Sequence, residues 1–469
     1  MLVEETNRYA AQHNIAICCD KYLIQRFIGV LLFSGYHHVP NVKLYWSMDP
    51  AFGIPIIRQT MTRNTFLRLK SNFHIANNDT LSMADKFAKV RPLFKMLNER
   101  YIQFGVWAEH LSIDKTMVPY FGRRSAKMFI RGKPIRFGYK LWTLSSDSGY
   151  IFQFLPYSGA TDKYDKQLGI GASVVMELLN HCEHPLQHTV HFDNFFTSHY
   201  LLCLLKERGF CASGKVRSNR IAGATLKTGK KLKGQVTLQK YESDFLYDKT
   251  NNILVVRWID NSEVTIATNY DSVEPIVNVQ RYSREKKKNI CVPQPQVINS
   301  YNRHIGGVNL HDKGVVNYRI AIRGRKWWWP LWVQFLDSAV VNAWKLHCFA
   351  AASNNTKPMP LLDFKNFIAR NLLLASEDSV FITEATVYDD LKKENHSASE
   401  DVYLPGNLPR VTGMHAPTKT RNRRRCIVCT PKATVFTCEK CNVHVHVENC
   451  FKTFHENKQY YIDRRQRRK

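Results

Sequence analysis

Alternating apolar and polar residues mark two short strands in this chain, and an aspartate follows each one. In the first, the residues up to Ile113 alternate as in a half-buried strand and lead directly to Asp114. In the second, the alternation ends at Phe192, Asp193 comes next, and a helical pattern begins a few residues later. Both carboxylates are therefore predicted to lie at the ends of buried strands.

The region between the two aspartates has patterns of its own. Two runs with strand character, Phe137–Leu144 and Tyr150–Pro156, flank a turn rich in serine and predict a hairpin. Apolar spacing at Ile170–His181 predicts a helix. Strand, hairpin, helix, strand and helix is the order of a ribonuclease H-like core, in which the first and fourth strands are neighbours. The pattern thus predicts an α/β core that brings Asp114 and Asp193 together.

Two carboxylates held side by side repel one another unless positive charge lies between them. A divalent cation such as magnesium is the usual source of that charge, and a two-metal site holds its ions about 3.5–4 Å apart for phosphoryl chemistry. The alternative is that Asp114 and Asp193 each cap a turn or a helix, the commoner role of an aspartate after a strand. The presence of both residues in one predicted core favours the metal site.

Outside this core, helical and strand-rich stretches alternate. Apolar spacings near three and four predict helices at Lys21–Phe33, Thr65–Ser71 and Phe87–Phe104, and strand signals occur at Ile253–Trp258 and Glu263–Thr268. The predicted multidomain α/β organisation is a helical part at 1–105, a core at 106–212 completed by 293–318, a β-rich insertion at 213–292, a second helical part at 319–395, a basic linker at 396–424, a Cys-rich module at 425–457 and a basic tail at 458–469.

A long amphipathic helix is predicted to begin near Pro330, because proline suits the first turn of a helix. Three basic residues, Arg323, Arg325 and Lys326, precede it. Basic side chains beside a helix N-terminus form a natural phosphate site, so these three are candidate DNA contacts. The tryptophans of the same segment are expected to pack in the core.

Composition narrows the class of partner. The chain has 469 residues, of which 44% are hydrophobic, so it is long enough for several domains with cores of their own. Its net charge of +28 points to a polyanionic partner, and nucleic acid is the first candidate. No stretch is apolar enough for a membrane span, and the first residues do not form a signal peptide. We therefore expect an intracellular protein with neither a membrane nor a small-molecule substrate as its partner.

The end of the chain combines cysteines and histidines at short spacing. Five of the twelve cysteines lie between Cys426 and Cys450. Paired Cys-x2-Cys knuckles followed by histidines have the ligand types and spacings of structural zinc. The segment has few large apolar residues, so it needs metal to fold. Its arginine runs suit phosphate binding and nuclear import equally.

Several segments resemble the piggyBac transposase family in the order and spacing of its motifs, over nearly the whole chain. They are Ser112–Asp114, Tyr120–Arg123, Ile130–Lys140, Asp193–Ser198, Gly306–Val308, Ile322–Trp327 and the Cys/His tail. The resemblance implies a core for metal-dependent DNA transposition, DNA as partner, a homodimer and a nuclear protein. It also implies that 1–105 and 319–395 form one dimerisation and DNA-binding domain, with Met1 at or just inside the folded part.

One motif departs from the family pattern. Active members carry a third catalytic aspartate in a Gly-Gly-Val-Asp run, and Asn309 stands at that place here. An amide oxygen adds no charge and binds Mg²⁺ more weakly than a carboxylate does. Asp312, which matches a second acidic position of the motif, is expected to compensate in part. The alternative role for Asn309 is that of a helix N-cap.

The resemblance further implies a cross-brace of two zinc ions in the tail. The residues that match its ligands are Cys426, Cys429, Cys438, Cys441, His446, Cys450 and His455. Two tetrahedral zinc ions need eight ligands. His444 is the nearest spare candidate for the eighth position, and a single zinc ion is the alternative.

Three functions are compatible with these observations. The first is a DNA-binding protein derived from a piggyBac-type transposase, with a degenerate site at Asp114, Asp193 and Asn309. The second is an active, magnesium-dependent transposase that cuts and joins DNA at TTAA sites. The third is a chromatin-associated module that binds protein. The substitution at Asn309 favours the first.

Overall fold

The computed structural model describes residues 1–131, 135–159, 164–165, 167–221, 223, 225–229, 237–284, 286–376, 416–429, 433–438 and 443–456. The chain divides into two compact units, Met1–Ser379 and Val380–Lys469. Among the helices of the described residues, none combines the length and the apolar character needed to cross a membrane.

The first unit combines helices with a large mixed sheet. Its helices are α1 (Leu2–Gln12), α2 (Lys21–Phe33), α3 (Pro55–Thr60), α4 (Arg63–Asn72), α5 (Arg91–Phe104), α6 (Gly169–Leu178), α7 (His199–Glu207), α8 (Gln296–His304), α9 (Gly307–Asn317), α10 (Trp329–Ser353) and α11 (Leu361–Leu373). Its strands are β1 (His110–Pro119), β2 (Met128–Phe129), β3 (Phe137–Ser146), β4 (Ile151–Pro156), β5 (Thr189–Phe192), β6 (Cys211–Lys215), β7 (Ser243–Asp248), β8 (Ile253–Ile259), β9 (Glu263–Thr268), β10 (Val277–Ser283) and β11 (Lys288–Gln294).

The described strands β1 to β9 form one sheet in the order β2-β3-β1-β5-β6-β9-β8-β7, with β4 paired to β3. Strand β1 pairs antiparallel with β3 and parallel with β5, and the parallel register ends at Ile113 opposite Phe192. Strand β6 pairs parallel with β5 and antiparallel with β9. The predicted β-rich insertion therefore extends the same sheet, and its predicted boundary at residue 212 falls inside β6.

Most elements predicted near the site are confirmed. Helix α2 has the predicted bounds, and the predicted hairpin is β3 and β4. Helix α5 begins at Arg91, later than predicted, with Pro92 in its first turn. Helix α4 begins earlier than predicted because Thr62 caps it, accepting a hydrogen bond from the Thr65 N–H at 3.2 Å.

Helix α10 ties the helical part to the sheet. Its first-turn proline is confirmed, and Trp328, Trp329 and Trp332 are buried in one core with the helices near the N-terminus. The expectation that these tryptophans pack in the core is thus confirmed. Farther along α10, Asn342 exchanges two hydrogen bonds of 2.8–2.9 Å with the backbone of Ile151 in β4. Because these amide groups are buried, they fix the helix against the hairpin.

The second unit contains β12 (Pro417–Arg425), β13 (Ala433–Cys438), β14 (Val443–His444) and α12 (Asn449–Glu456). The three strands form an antiparallel sheet in that order. Residues 417–424 were predicted as part of a basic linker, and the structure includes them in β12, which pairs with β13 at Pro417–Lys419 and at Arg424–Arg425. The rest of the predicted linker before residue 416 and the basic tail at 458–469 lie outside the described residues.

A close backbone contact at Gly307 sets the position of α9 on the sheet. A Cβ atom at Gly307 would lie 2.0 Å from the Ser146 carbonyl oxygen, whereas one at the neighbouring Gly306 would meet nothing within 4 Å. We expect Gly307→Ala to lower the free energy of unfolding by about 1–3 kcal/mol or more, because the backbone itself must move. Gly306→Ala is the matched control and should change it by less than about 0.5 kcal/mol. Equal effects in urea or thermal unfolding would contradict this packing.

Candidate active site and metal centre

Asp114 lies within β1, whereas the sequence predicted it at the end of a strand. The strand continues to Pro119 on its β3 side, but its pairing with β5 stops at Ile113. Asp114 is buried, with 7% of its surface exposed. Alternation along a strand places it on the same face as Ser112 and Thr116. Asp114 therefore follows the last residue that bridges β1 and β5.

Asp193 directly follows β5 and shapes the turn into α7. Its Oδ1 accepts the N–H of Phe195 at 2.8 Å, and its carbonyl oxygen accepts the Thr197 hydroxyl at 2.9 Å. Ser198 is the N-cap of α7 and accepts the Leu201 N–H at 3.1 Å. One carboxylate oxygen of Asp193 therefore has the turn-capping role that was the alternative to metal binding. That role does not describe Asp114, which lies inside a strand.

Lys115 supplies positive charge between the two aspartates. Its Nζ donates to Asp193 Oδ2 at 2.5 Å and lies 3.7 Å from Asp114 Oδ1. The side chain of Lys115 is 16% exposed, so solvent screens these contacts only in part. The pair of aspartates in the sequence predicts a divalent cation in this role, whereas the structure places the lysine ammonium there. Lys115 directly follows Asp114 in the sequence, but its reach to Asp193 depends on where β5 ends.

The arrangement does not fit magnesium as it stands. Mg²⁺ needs oxygen ligands at about 2.0–2.1 Å in octahedral geometry. The Lys115 ammonium donates to one oxygen of Asp193 and lies beside Asp114, so it repels a second cation. Tyr301 borders the site, donating its hydroxyl to the Phe192 carbonyl at 3.2 Å. Burial, together with the negative charges of Asp193 and Asp114, raises the pKa of Tyr301 above its usual range, so it stays a neutral donor.

Helix α9 carries both candidates for a third ligand. Gly306 is its N-cap, so Asn309 lies inside the first turn, and the N-cap interpretation of Asn309 is wrong. The side chain of Asn309 is exposed. Asp312, about one turn farther on, is half-buried, and its Oδ1 accepts the Thr116 hydroxyl at 3.1 Å. The structure therefore brings Asp312 to the strand that carries Asp114.

The basic residues ahead of α10 have different environments. Arg323 and Arg325 are exposed, and Arg323 lines the same cavity as Lys70. Burial first and then the charge of Arg325 lower the pKa of Lys70. We call Lys70, Arg323 and Arg325 the basic patch. Lys326 is engaged elsewhere, because its ammonium donates to the Phe73 carbonyl at 2.6 Å.

In the second unit, four side chains bring their ligand atoms together. The nitrogen or sulfur atoms of Cys426, Cys429, His446 and Cys450 lie within 4.8 Å of one another. Burial opposes ionisation of Cys426, but the backbone N–H groups of Cys429 and Val428 outweigh it, with help from His446, and lower its pKa to about 7. Three thiols and one imidazole form a complete tetrahedral set, so the site fits a structural metal such as zinc.

Of the other matched residues of the tail, Cys438 and His455 are not members of this cluster. Cys438 is buried at the end of β13, and His455 Nδ1 lies 2.8 Å from the Phe451 carbonyl oxygen in α12. Cys441 lies outside the described residues. His444 is on β14, opposite Thr437. Among the described residues, no other group of three or more His, Cys, Asp or Glu side chains brings its ligand atoms as close together as the four-residue cluster.

Comparison with known proteins places these features in a family. A family model described as Transposase IS4 matches residues 1–344. Human PiggyBac transposable element-derived protein 3 is 35% identical over 461 residues, covering 97% of this chain and 73% of that protein. Human Chimeric ERCC6-PGBD3 protein is also 35% identical, and the chain spans 41% of its length. Human PiggyBac transposable element-derived protein 2 is 32% identical over 381 residues, covering 81% of this chain and 63% of that protein.

A solved structure has the same fold. It is a cryo-EM structure of the piggyBac transposase synaptic complex with hairpin DNA. The alignment covers 96% of this chain and 94% of the transposase chain, with a TM-score of 0.65. Its sequence identity is 20%, so the similarity shows the fold alone. The mixed α/β fold with a large mixed sheet is therefore that of a piggyBac transposase.

Proposed function

Because this chain belongs to the piggyBac family of transposases and transposase-derived proteins, we propose that it binds DNA through a transposase fold whose acidic site no longer supports catalysis. The observation that carries the proposal is the contrast between the transposase fold and the acidic site. The fold matches a transposase over 96% of the chain. In the site, Lys115 bridges Asp114 and Asp193, and the residue at the third acidic position is an exposed, neutral Asn309.

We assign the centre of the sheet as a ribonuclease H-like core. The order β4-β3-β1-β5-β6, with β3 antiparallel to β1 and with β4, β5 and β6 parallel to it, supports this assignment. Such a core places the carboxylates of β1 and β5 together at one edge. In an active relative that edge would hold magnesium; here the same edge holds a lysine.

The proposed partner is double-stranded DNA, bound by the first unit and the basic second unit. The net charge of +28 and the exposed arginines of the basic patch support it. The solved relative was captured on hairpin DNA, which favours the same class of ligand here. We also propose that the protein forms a homodimer and is located in the nucleus. The arginine runs near the end of the chain would contribute to the nuclear location.

We propose zinc as the metal of the Cys/His cluster. The four clustered residues are the first Cys-x2-Cys pair together with His446 and Cys450. The first cysteine pair is thus combined with His446 and Cys450, and the second pair, Cys438 and Cys441, is left out, as a cross-brace requires. This arrangement supports a second zinc ion on Cys438, Cys441 and His455. His444 is the candidate for its fourth ligand.

Salt dependence of DNA binding tests the proposal. The full chain should bind a non-specific duplex with log K falling linearly as log salt rises, because counterions leave the phosphates. Arg323→Ala with Arg325→Ala should weaken binding and reduce that slope by about one for each phosphate that the variant no longer neutralises. Arg100→Ala, an exposed arginine on α5, is the matched control. Lys326 is unsuitable here, since its removal would also break the hydrogen bond to Phe73.

Two results would reject this function. Binding to DNA that does not weaken with salt, or no binding at all, would favour the chromatin-associated protein module. The active transposase is favoured by one observation, the bond that brings Asp312 to β1. Efficient release of a TTAA-flanked segment by the unchanged protein, abolished by Asp312→Ala, would support that alternative.

A further inference from the structure

The parallel pairing of β1 and β5 ends just before the two aspartates. Beyond Ile113, β1 keeps only its β3 neighbour, so the Lys115 side chain reaches past the end of β5 to Asp193. Its ammonium lies 2.5 Å from one carboxylate and 3.7 Å from the other. A single internal cation therefore contacts both acidic groups.

This contact changes what the carboxylate pair can bind. A divalent ion between Asp114 and Asp193 would be stabilised by two negative charges, but Lys115 already compensates one of them. Its bond to Asp193 also uses an oxygen that an incoming ion would need. The residue at the third acidic position adds no negative charge, since Asn309 is neutral.

We propose that Lys115 is a built-in counter-ion that takes the place of the divalent cation between Asp114 and Asp193, so that this site binds no divalent cation while Lys115 is present. The proposal deepens the proposed function and rests on it for its biological meaning. It concerns metal affinity alone, and it is tested without DNA.

Manganese binding to the full chain tests the proposal, with Mn²⁺ alone as the probe. Lys115→Met keeps the length of the side chain and removes its charge. This variant should bind Mn²⁺ at least tenfold more tightly than the unchanged chain, and its melting temperature should rise when Mn²⁺ is added. Without metal it should melt lower than the unchanged chain, because Asp114 and Asp193 then repel one another.

Two controls separate this site from the Cys/His cluster, which is the same in every variant. Lys115→Arg keeps the charge and should not gain Mn²⁺ affinity. Lys115→Met combined with Asp193→Asn should lose the gain, because one carboxylate of the site is gone. Retention of the gain in that double variant would place the metal elsewhere and overturn the proposal.

The unchanged chain alone also decides the matter if Lys115→Met fails to fold. A saturable Mn²⁺ site that Asp193→Asn abolishes would show that Lys115 moves aside, and the proposal would be wrong. If the unchanged chain shows no Mn²⁺ binding that Asp193→Asn reduces, the proposal is supported. A folded Lys115→Met variant without increased affinity would overturn it as well. Loss of DNA binding, by contrast, would reject the proposed function and leave this inference standing.

Discussion

Removal of metal from the second unit is expected to unfold residues 416–456 while leaving the first unit folded. Among the described residues of this unit, the buried apolar cluster consists of Val443, Val445 and Phe454 together with Cys426 and Cys438. So small a core cannot offset the entropy of ordering the segment. We therefore expect metal binding to supply the folding free energy, which is about 10–16 kcal/mol for comparable zinc sites.

The matched variants are cysteine-to-serine changes. Cys426→Ser removes a ligand from the four-residue cluster and should abolish the fold of the second unit. Cys291→Ser, at an exposed cysteine of the first unit, should have no effect. Limited proteolysis and metal analysis of the full chain provide the measurements. A second unit that resists protease equally with and without a chelator would contradict the prediction.

The same experiment counts the metal ions. Two zinc ions per chain, falling to one in Cys438→Ser, would support the cross-brace with its second site on Cys438, Cys441 and His455. One ion per chain, unchanged in Cys438→Ser, would support the single site on the observed cluster. No bound zinc at all would remove the metal assignment for this unit.

Strand periodicity and the order of elements were enough to predict that the two strands leading to the aspartates are neighbours. Alternation up to Ile113 and Phe192 marked the two strands, and the pairing of β1 with β5 confirms that they are adjacent. The role of Lys115 was not predictable in the same way. Adjacent residues on a strand start on opposite faces, and only the length of the lysine side chain and the early end of β5 let it reach Asp193.

Long-range packing decided the other differences. Whether Asn309 or Asp312 approaches β1 depends on how α9 rests on the sheet, which the contact of Gly307 with Ser146 fixes. The sequence shows a pair of glycines but not which one makes that contact. Similarly, Arg323 and Lys326 belong to the same basic run before α10, and only the fold shows that Lys326 donates to the Phe73 carbonyl whereas Arg323 is exposed.

A buried ion pair links α10 and α11 next to the end of α9. Its removal is expected to lower the free energy of unfolding. Lys365 Nζ donates to Asp337 Oδ1 and to the Tyr318 carbonyl, both at 2.6 Å, and the Ile320 N–H donates to Asp337 Oδ2 at 3.1 Å. The two side chains are 3% and 1% exposed. Breaking a buried pair leaves one charge without compensation, which costs about 3–5 kcal/mol.

Lys365→Met should therefore lower the free energy of unfolding by about 3–5 kcal/mol, whereas the double variant with Asp337→Asn should lose less than Lys365→Met alone. Burial already raises the pKa of Asp337, and removal of the lysine should raise it further. A carboxyl whose pKa is raised in the folded state destabilises that state as pH rises through that pKa. The loss of unfolding free energy in Lys365→Met, relative to the unchanged chain, should thus grow from pH 4 to pH 7. The corresponding loss in the double variant should not grow. A deficit that is equal at both pH values, measured by urea unfolding, would show that poorer packing and not the stranded carboxylate sets the cost.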